Sequence, residues 1–423
     1  NIVELRNFKL AALALVGLLA AAPLAADSAP STDVQDSMED LRSSLGNLAS
    51  QVNNLDKTVS SLIKFSGDLR FRYENVIDRS VAAPTDPDRE RYRFRLRLNA
   101  DAKVSDWVGV RTRVASDTTL LSTATTSLNA GGDPVSTNQT MTDYANDKPL
   151  YIDVAEIDIA PKVMLHPKAS FGKLYTPFYV VPGEFVFDAD LTPEGIYVGL
   201  NQDVIHGLNL AVNESEFFTN EIKASTLDGK MEGSQGVISY DFGIAKATVS
   251  GAYYNWQNTT GADAFKALSV GAVSQDNNTN SAALGFWIDD YTADIKSSIA
   301  GIGLDAYYEY TYNAQQHADN IGSLVGVELA SGKLIPMDTD YLKVSYCYRN
   351  VQKNYTFSPW NFSDFANGET DARGGVTQVK LKAIPGAETD FTYFSNTRGL
   401  DAIAAAGKGK TYERYQVDLL VKF

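Results

Sequence analysis

The sequence predicts an all-β chain, an antiparallel transmembrane β-barrel of about 16 strands (14 to 18), preceded by an α-helical coiled-coil segment. Three observations predict it. The stretch Glu90–Asn99 reads E-R-Y-R-F-R-L-R-L-N, with Arg91, Arg93, Arg95 and Arg97 on one parity and Tyr92, Phe94, Leu96 and Leu98 on the other. Steps of two scatter both sets around a helix but put them on opposite faces of a strand. A soluble sheet rarely carries four arginines in a row behind a wholly apolar face. A transmembrane strand does, because one face meets lipid and the other a water-filled lumen. Ten residues at about 3.3 Å each are also enough for a tilted strand to cross the hydrocarbon layer. The second observation is that period-2 alternation begins at Lys64 and persists; the third is that short turns alternate with long polar loops.

Bulk composition narrows the classes. Hydrophobic residues make up 44% of the 423, and beyond the N-terminus no run of 18 apolar residues exists, so a helical membrane protein is excluded. A β-barrel fits inside such a composition because half of every strand is polar. The 22 tyrosines and 19 phenylalanines suit aromatic girdles at two interfaces. A net charge of −15 argues against a nucleic-acid partner. Cys347 is the single cysteine, so no internal disulfide can form, and without a Cys-x-x-Cys-His motif the chain carries no c-type haem.

Residues 1–26 read as a secretory signal. Arg6 and Lys9 give the positive start, Leu10–Leu19 the apolar core, and Ala22-Pro23-Leu24-Ala25-Ala26 the small residues for cleavage. A coiled-coil stalk is expected over 30–63. Val34, Met38, Leu41, Leu45, Leu48, Val52, Leu55, Val59 and Leu62 follow at alternating spacings of 4 and 3, a heptad seam with polar residues elsewhere. One amphipathic helix lying on its own domain would show a wider apolar stripe. The seam therefore points to contact between copies, and valine at one seam position with leucine at the other leans toward two strands in isolation.

The barrel is expected over 64–423. Strands are placed near 65–76, 90–102, 107–117, 150–160, 168–175, 195–202, 207–213, 235–242, 244–255, 280–292, 300–313, 321–330, 339–350, 375–384, 388–396 and 413–423. Sixteen is even, as closure with both ends on one side requires. Turns rich in Pro, Gly and Asp occur at Lys103–Asp106, Pro161–Pro167, Asp203–Gly207, Asp241–Gly243 and Pro385–Ala387. Long polar loops are expected at 118–149, 176–194, 214–234, 256–279, 351–374 and 397–412.

The last strand alternates Tyr415, Val417, Leu419, Val421 and Phe423 with mostly polar residues and stops on the phenylalanine. Such an ending resembles the assembly signal of Gram-negative outer-membrane proteins. With the opening strand Phe65–Tyr73, it resembles the trimeric porins. Phe171-Gly172-Lys173-Leu174-Tyr175-Thr176-Pro177-Phe178, followed by Asp188-Ala189-Asp190-Leu191-Thr192-Pro193-Glu194-Gly195, is similar to porins that bear an N-terminal coiled coil. The resemblance implies a bacterial outer-membrane location with the stalk in the periplasm, lipid around the wall and a homotrimer. It also implies recognition of the C-terminal strand by the assembly machinery, and leaves the cell wall or a periplasmic protein as a partner of the stalk. The implied activity is passive diffusion of ions and small hydrophilic solutes.

Eight arginines, Arg70, Arg72, Arg91, Arg93, Arg95, Arg97, Arg111 and Arg113, share lumen parity on three consecutive strands. In the trimeric porins the loop after the fifth strand narrows the lumen. The corresponding residues here, 176–194, carry Glu184, Asp188, Asp190 and, at the end, Glu194. A basic wall facing an acidic loop would set a field across a narrow water column and sort ions. The bland alternative is that the arginines pair with lumen carboxylates and stiffen the wall; both can hold.

Catalytic chemistry finds no footing. His166, His206 and His317 fall in separate turns or loops without metal-ligand spacing. Gly409-Lys410-Thr411 imitates the end of a phosphate-binding loop, but Ala404 stands where the first glycine is needed. Asp86 and Asp88 read as solvated loop charge, and Cys347, between Tyr346 and Tyr348, as inert. No Ser/His pair on one wall suggests a hydrolase. No cofactor or metal is expected. The other reading kept open is a barrel that sheaths or tethers a partner protein, as an electron-transfer conduit or a cell-wall anchor.

Overall fold

The structure is a computed structural model that describes residues 32–79, 88–117, 132–220, 228–258, 286–331, 342–384, 386–399 and 410–423. The expected signal segment, and Asp86 and the glycine of Gly409-Lys410-Thr411, lie outside these residues. The chain divides into two compact units between Lys64 and Phe65. In the first, α1 (Thr32–Leu62) is one helix of 31 residues. Its seam leucines Leu41 and Leu48 are 56% and 51% exposed within the single chain.

The second unit is a closed antiparallel barrel of sixteen strands. They are β1 (Ile63–Asp78), β2 (Asp88–Lys103), β3 (Val108–Ser116), β4 (Leu150–Ile159), β5 (Lys168–Lys173), β6 (Glu194–Ile205), β7 (Leu208–Asn220) and β8 (Gly229–Asp241). There follow β9 (Ala245–Gln257), β10 (Phe286–Ile299), β11 (Ile302–Asn313), β12 (Ile321–Ser331), β13 (Leu342–Val351), β14 (Ala372–Ile384), β15 (Ala387–Arg398) and β16 (Lys410–Lys422). Each strand pairs with its sequence neighbours, and β16 returns to β1 with Asp68 opposite Lys422 and Asp78 opposite Tyr412. The two-residue segment Gln139–Thr140 adds to the upper part of β2.

Alternation sorts the side chains. On β1, Glu74 is fully buried while Phe71, three residues away on the other parity, is 42% exposed. Leu69, Tyr92, Leu98, Ile196, Val198, Val325, Val327, Tyr346, Phe391 and Leu419 likewise point out, and Arg72, Arg93, Arg95 and Arg113 point in. An apolar exterior around a charged interior inverts the usual soluble arrangement and suits lipid outside. A bulge at Arg113/Val114 shifts the register with β4. Asp153 therefore faces inward on one parity and Glu156 and Asp158 on the other.

Two expected loops were mislocated. Residues 214–234 are largely strand, forming the ends of β7 and β8. Glu214 and Glu216 interrupt the apolar parity there, yet each finds a cross-strand partner, Ser234 at 2.5 Å and Lys230 at 3.0 Å. The strands thus extend past the apolar band into water, where an outward carboxylate costs little. Residues 351–374 form no outer loop: Tyr355, Phe357, Trp360 and Phe365 are buried in the lumen, against residues of the barrel wall.

The outward parity of β2 generates the first expectation. Leu96→Arg should destabilise the barrel by about 2–4 kcal/mol if it lies near the midplane. Arg95→Leu should fold, because Arg97 still meets Asp68 at 2.8 Å. Heat-modifiable gel mobility checks this; equal folding defects in the two variants would invalidate the assignment of faces.

Candidate functional site: a charged lumen narrowed by inward loops

The eight arginines of β1–β3 all lie on the lumen side, and most meet carboxylates. Arg72 makes a bidentate pair with Asp418, Nε donating at 2.6 Å and Nη2 at 2.7 Å, and Nη1 reaches Asp364 at 3.0 Å. Arg70 meets Asp418 at 3.7 Å and donates to Asn138. Arg95 and Arg97 share Asp68, at 3.0 and 2.8 Å. Arg91 pairs with Glu74, Arg111 with Glu156 and Asp158, and Arg113 with Asp153. The guanidiniums of Arg111 and Arg113 also lie over the Tyr175 ring, 5.1 and 4.8 Å from its centre. Arg93 differs: its described partners are uncharged, Ser136 Oγ at 3.4 Å and the Asn138 carbonyl at 3.3 Å. Charge-assisted and bidentate contacts of this kind fix side-chain geometry as well as balancing charge. Several of the partners were open to the parity argument, since Asp68, Glu74 and Asp418 share lumen parity on the first and last strands.

The connection after β5, residues 174–193, folds into the lumen and is anchored on both sides. Toward β2, Asp190 meets Arg97 at 3.3 Å and Arg95 at 3.7 Å. Toward β8 and β10, Tyr179 N–H donates to Gln235 Oε1 at 2.8 Å, and its hydroxyl donates to Asp294 at 2.6 Å. Phe178 and Phe187 pack edge-on to Tyr254, each with ring centres 4.9 Å apart. Trp256, Phe286, Phe357 and Trp360 extend this into one aromatic cluster. The segment is held by a second inward connection, 352–371. Asp188 N–H donates to the Trp360 carbonyl at 2.8 Å, and Ser363 N–H donates to Asp188 Oδ2 at 2.8 Å. Tyr355 Oη donates to the Phe185 carbonyl at 3.0 Å. Close approach needs Gly322 on β12, where an added Cβ would sit 2.4 Å from the Tyr355 ring and 2.9 Å from Phe185.

The four acids expected in the narrowing loop occupy different environments. Asp190 joins the arginine wall directly; burial alone would raise its pKa, but Arg95, Arg70, Arg97 and Arg113 together hold it below the usual carboxylate value. Asp188 is raised well above it by burial and by the nearby Glu184 and Asp190. Glu184, in a left-handed turn (φ 54°), is pushed up to about 7, chiefly by burial, although its Oε2 accepts from Ala189 N–H at 3.0 Å. Glu194 opens β6 on the outward side with Ile196 and Val198, paired with Lys173 at 3.5 Å, and takes no part in the lumen. The half-turn of parity between the loop and β6 removes it.

Between the loop and the wall running from β10 round to β2 is a cavity of about 680 Å³. Its lining mixes basic side chains, Arg70, Arg72, Arg95, Lys296, Lys343, Arg349 and Lys380, with the acids Glu184, Asp188, Asp190, Glu328, Asp364, Asp390 and Asp418. Cys347 faces this cavity from β13, while Tyr346 and Tyr348 point outward. Arg349 and the aromatic residues 355–365 lie outside the residues that the sequence points to as candidates. The signal was present, five aromatics between Tyr355 and Phe365 in a connection otherwise read as polar.

A closed barrel with a charged lumen and an inward loop after the fifth strand limits the comparisons that matter. The family described as "Putative porin" matches residues 78–288. The chain is an outer-membrane porin. It forms a channel for small solutes, and porins of this family and fold act as channels rather than enzymes. Pseudomonas putida OprB in its high-pH structure superposes with a TM-score of 0.54 at 10% identity, over 87% of this chain and 96% of that one. Salmonella typhi OmpF in complex with daunomycin gives 0.49 at 10% identity, over 85% and 97%. The outer-membrane channel DcaP of Acinetobacter baumannii gives 0.48 at 12%, also over 85% and 97%. The first of these shares the fold; at such identities nothing beyond the fold carries over. Among curated proteins, none matches this porin.

Glu184 makes the loop pH-sensitive. Its pKa lies near 7 when folded against 4.5 for the ordinary side chain, so the native state binds the extra proton between those values. Stability linked to this group is therefore present at low pH and lost as pH rises through that window. The thermal transition of the purified porin should fall between pH 5 and 8, and Glu184→Gln should flatten that dependence. An unchanged slope in the variant would place the titration elsewhere.

Proposed function

We propose that this porin passes ions and small hydrophilic solutes by passive diffusion through the space between the inward loop and the β10–β16 wall. Ion preference is set by the arginines of β1 and β2 acting against Asp190. The observation that supports it most is the direct contact of Asp190 with Arg95 and Arg97 beside a cavity that Arg70, Arg72 and Arg95 also line. The field in the narrow part then depends on the small surplus left by these pairs. Local surplus outweighs the overall −15, because charges more than about 8–10 Å away are largely screened at physiological salt.

The assembly we propose is a homotrimer in the outer membrane, with the α1 seam holding copies together in the periplasm. The C-terminal strand, Tyr415 to Phe423, serves as the signal read by the assembly machinery, and the stalk is the part placed to meet the cell wall or a periplasmic protein. A sheath around another polypeptide is disfavoured by the aromatic cluster within the barrel, which a threaded chain would have to displace.

Reversal potentials in a salt gradient test the selectivity reading. Arg70→Ala with Arg95→Ala should shift preference toward cations, and Asp190→Ala toward anions, both more strongly at low salt. If neither moves the potential while conductance persists, the groups are structural only. Independently, Leu45→Asp with Leu48→Asp would bury unpaired charge in the seam and should weaken the oligomer. Cross-linking and native mass equal to those of the parent would show that the seam does not join copies.

A further inference from the structure

Arg349 on β13 stands apart from the arginines of β1–β3. It is 2% exposed, and its guanidinium lies 4.6 Å from the ring centre of Phe362 and 5.1 Å from that of Phe365. Nη1 donates to the Glu184 carbonyl at 3.3 Å, while Nε, also buried, has no hydrogen-bond partner. Among the described residues, no carboxylate forms an ion pair with this guanidinium. A buried charge is ordinarily paired, because desolvation without compensation is strongly unfavourable. The carbonyl and the two rings compensate for only part of it.

The surroundings specify what would complete it. Arg349 lines the 680 Å³ cavity, a volume within the range of small-molecule sites. The neighbouring cations on that wall are already matched, Lys343 with Glu328 at 2.5 Å and Lys380 with Asp390 at 3.4 Å. Among the described residues, Arg349 is therefore the cation on this wall with no carboxylate in ion-pair contact, and Glu309 and Glu184 act on it only through space. Next to Arg349, Phe362 and Phe394 form an aromatic pair with ring centres 5.9 Å apart, and both line the cavity with Val376. A planar guanidinium matches a carboxylate two donors to two acceptors, and the adjoining rings match a flat apolar body.

We propose that the lumen cavity binds small organic monocarboxylates with an apolar, preferably aromatic, body. The carboxylate is held by Arg349 and the body lies against Phe362 and Phe394. This rests on the reading of the chain as a channel and adds the class of solute that the channel retains in transit. A role for Arg349 confined to pinning the two inward connections would leave the cavity indifferent to such solutes.

Single-channel recording on the full-length porin separates these readings, with potassium chloride as carrier and benzoate, acetate or benzylammonium added. Benzoate should block the chloride current in a saturable way, acetate should do so far more weakly, and benzylammonium not at all. In Arg349→Gln, block by benzoate, scaled to that variant's own current, should fall about tenfold, as expected for losing a charge-assisted pair. Phe362→Ala should weaken block by benzoate but not by acetate. Equal block by benzoate and benzylammonium, or by benzoate and acetate, would overturn the proposal, as would undiminished block in Arg349→Gln. Because the three-solute comparison uses the parent protein, it decides the matter even if the variants fail to assemble. Absence of any potassium chloride current would contradict the channel reading itself and the proposal with it.

Discussion

Pairing of β16 with β1 is the interaction on which the rest of the structure depends. In hydrocarbon every backbone N–H and C=O needs a partner within the protein, so a sheet can cross a bilayer only if it has no open edge. The ladder from Asp68–Lys422 to Asp78–Tyr412 removes that edge. Closure also separates two environments that alternate along every strand. Phe71, Leu419 and Val421 meet the outside, and Arg72 and Asp418, directly opposite each other across the seam, are left within. Their bidentate contact ties the ends of the barrel together from the inside, where the effective dielectric is lower than in bulk water and an ion pair is stronger than at a surface.

From that seam the charges spread in a connected set. Asp364 meets Arg72 at 3.0 Å and Arg414 at 2.5 Å, which fixes the second inward connection to the same wall. Asp190 does the corresponding service for the first, through Arg95 and Arg97. Asp188 then joins the two connections through Trp360 and Ser363. The aromatic cluster of Phe178, Phe187, Tyr254, Trp256 and Trp360 fills the side of the lumen away from the arginines. What remains is an off-centre cavity bordered by charged side chains and, on one part, by Phe362, Val376 and Phe394. Its width is determined by loops held by side-chain contacts, and its charge by pairs that nearly cancel, so single substitutions in either should have consequences out of proportion to their size.

The alternation of Glu90–Asn99 made the barrel legible because strand period and solvent face are locked together; one parity of such a segment cannot be both lipid-facing and charged. Arg72 and Asp418 were each readable as lumen residues for the same reason. Their pairing was not, since it needs the register of strands more than 300 residues apart in sequence. Glu194 misled because a loop and the strand after it have no common parity, and the strand begins at Glu194 itself, followed by Gly195 with φ 155°. The ends of β7 and β8 were missed because above the apolar band a strand no longer needs an apolar outer face. The inward course of residues 352–371 escaped for a different reason. Tyr355, Phe357, Trp360 and Phe365 show no period, and only a lumen already shaped by the wall gives them something to pack on.

The central claim is that a water-filled path of small-solute dimensions runs past the inward connections. Swelling of liposomes that contain the folded porin, in isosmotic solutions of neutral sugars of increasing size, measures that path without reference to charge. The account predicts swelling with the smallest sugars, falling steeply as solute size rises. Swelling no faster than in empty liposomes, from protein whose heat-modifiable mobility shows a folded barrel, would contradict it.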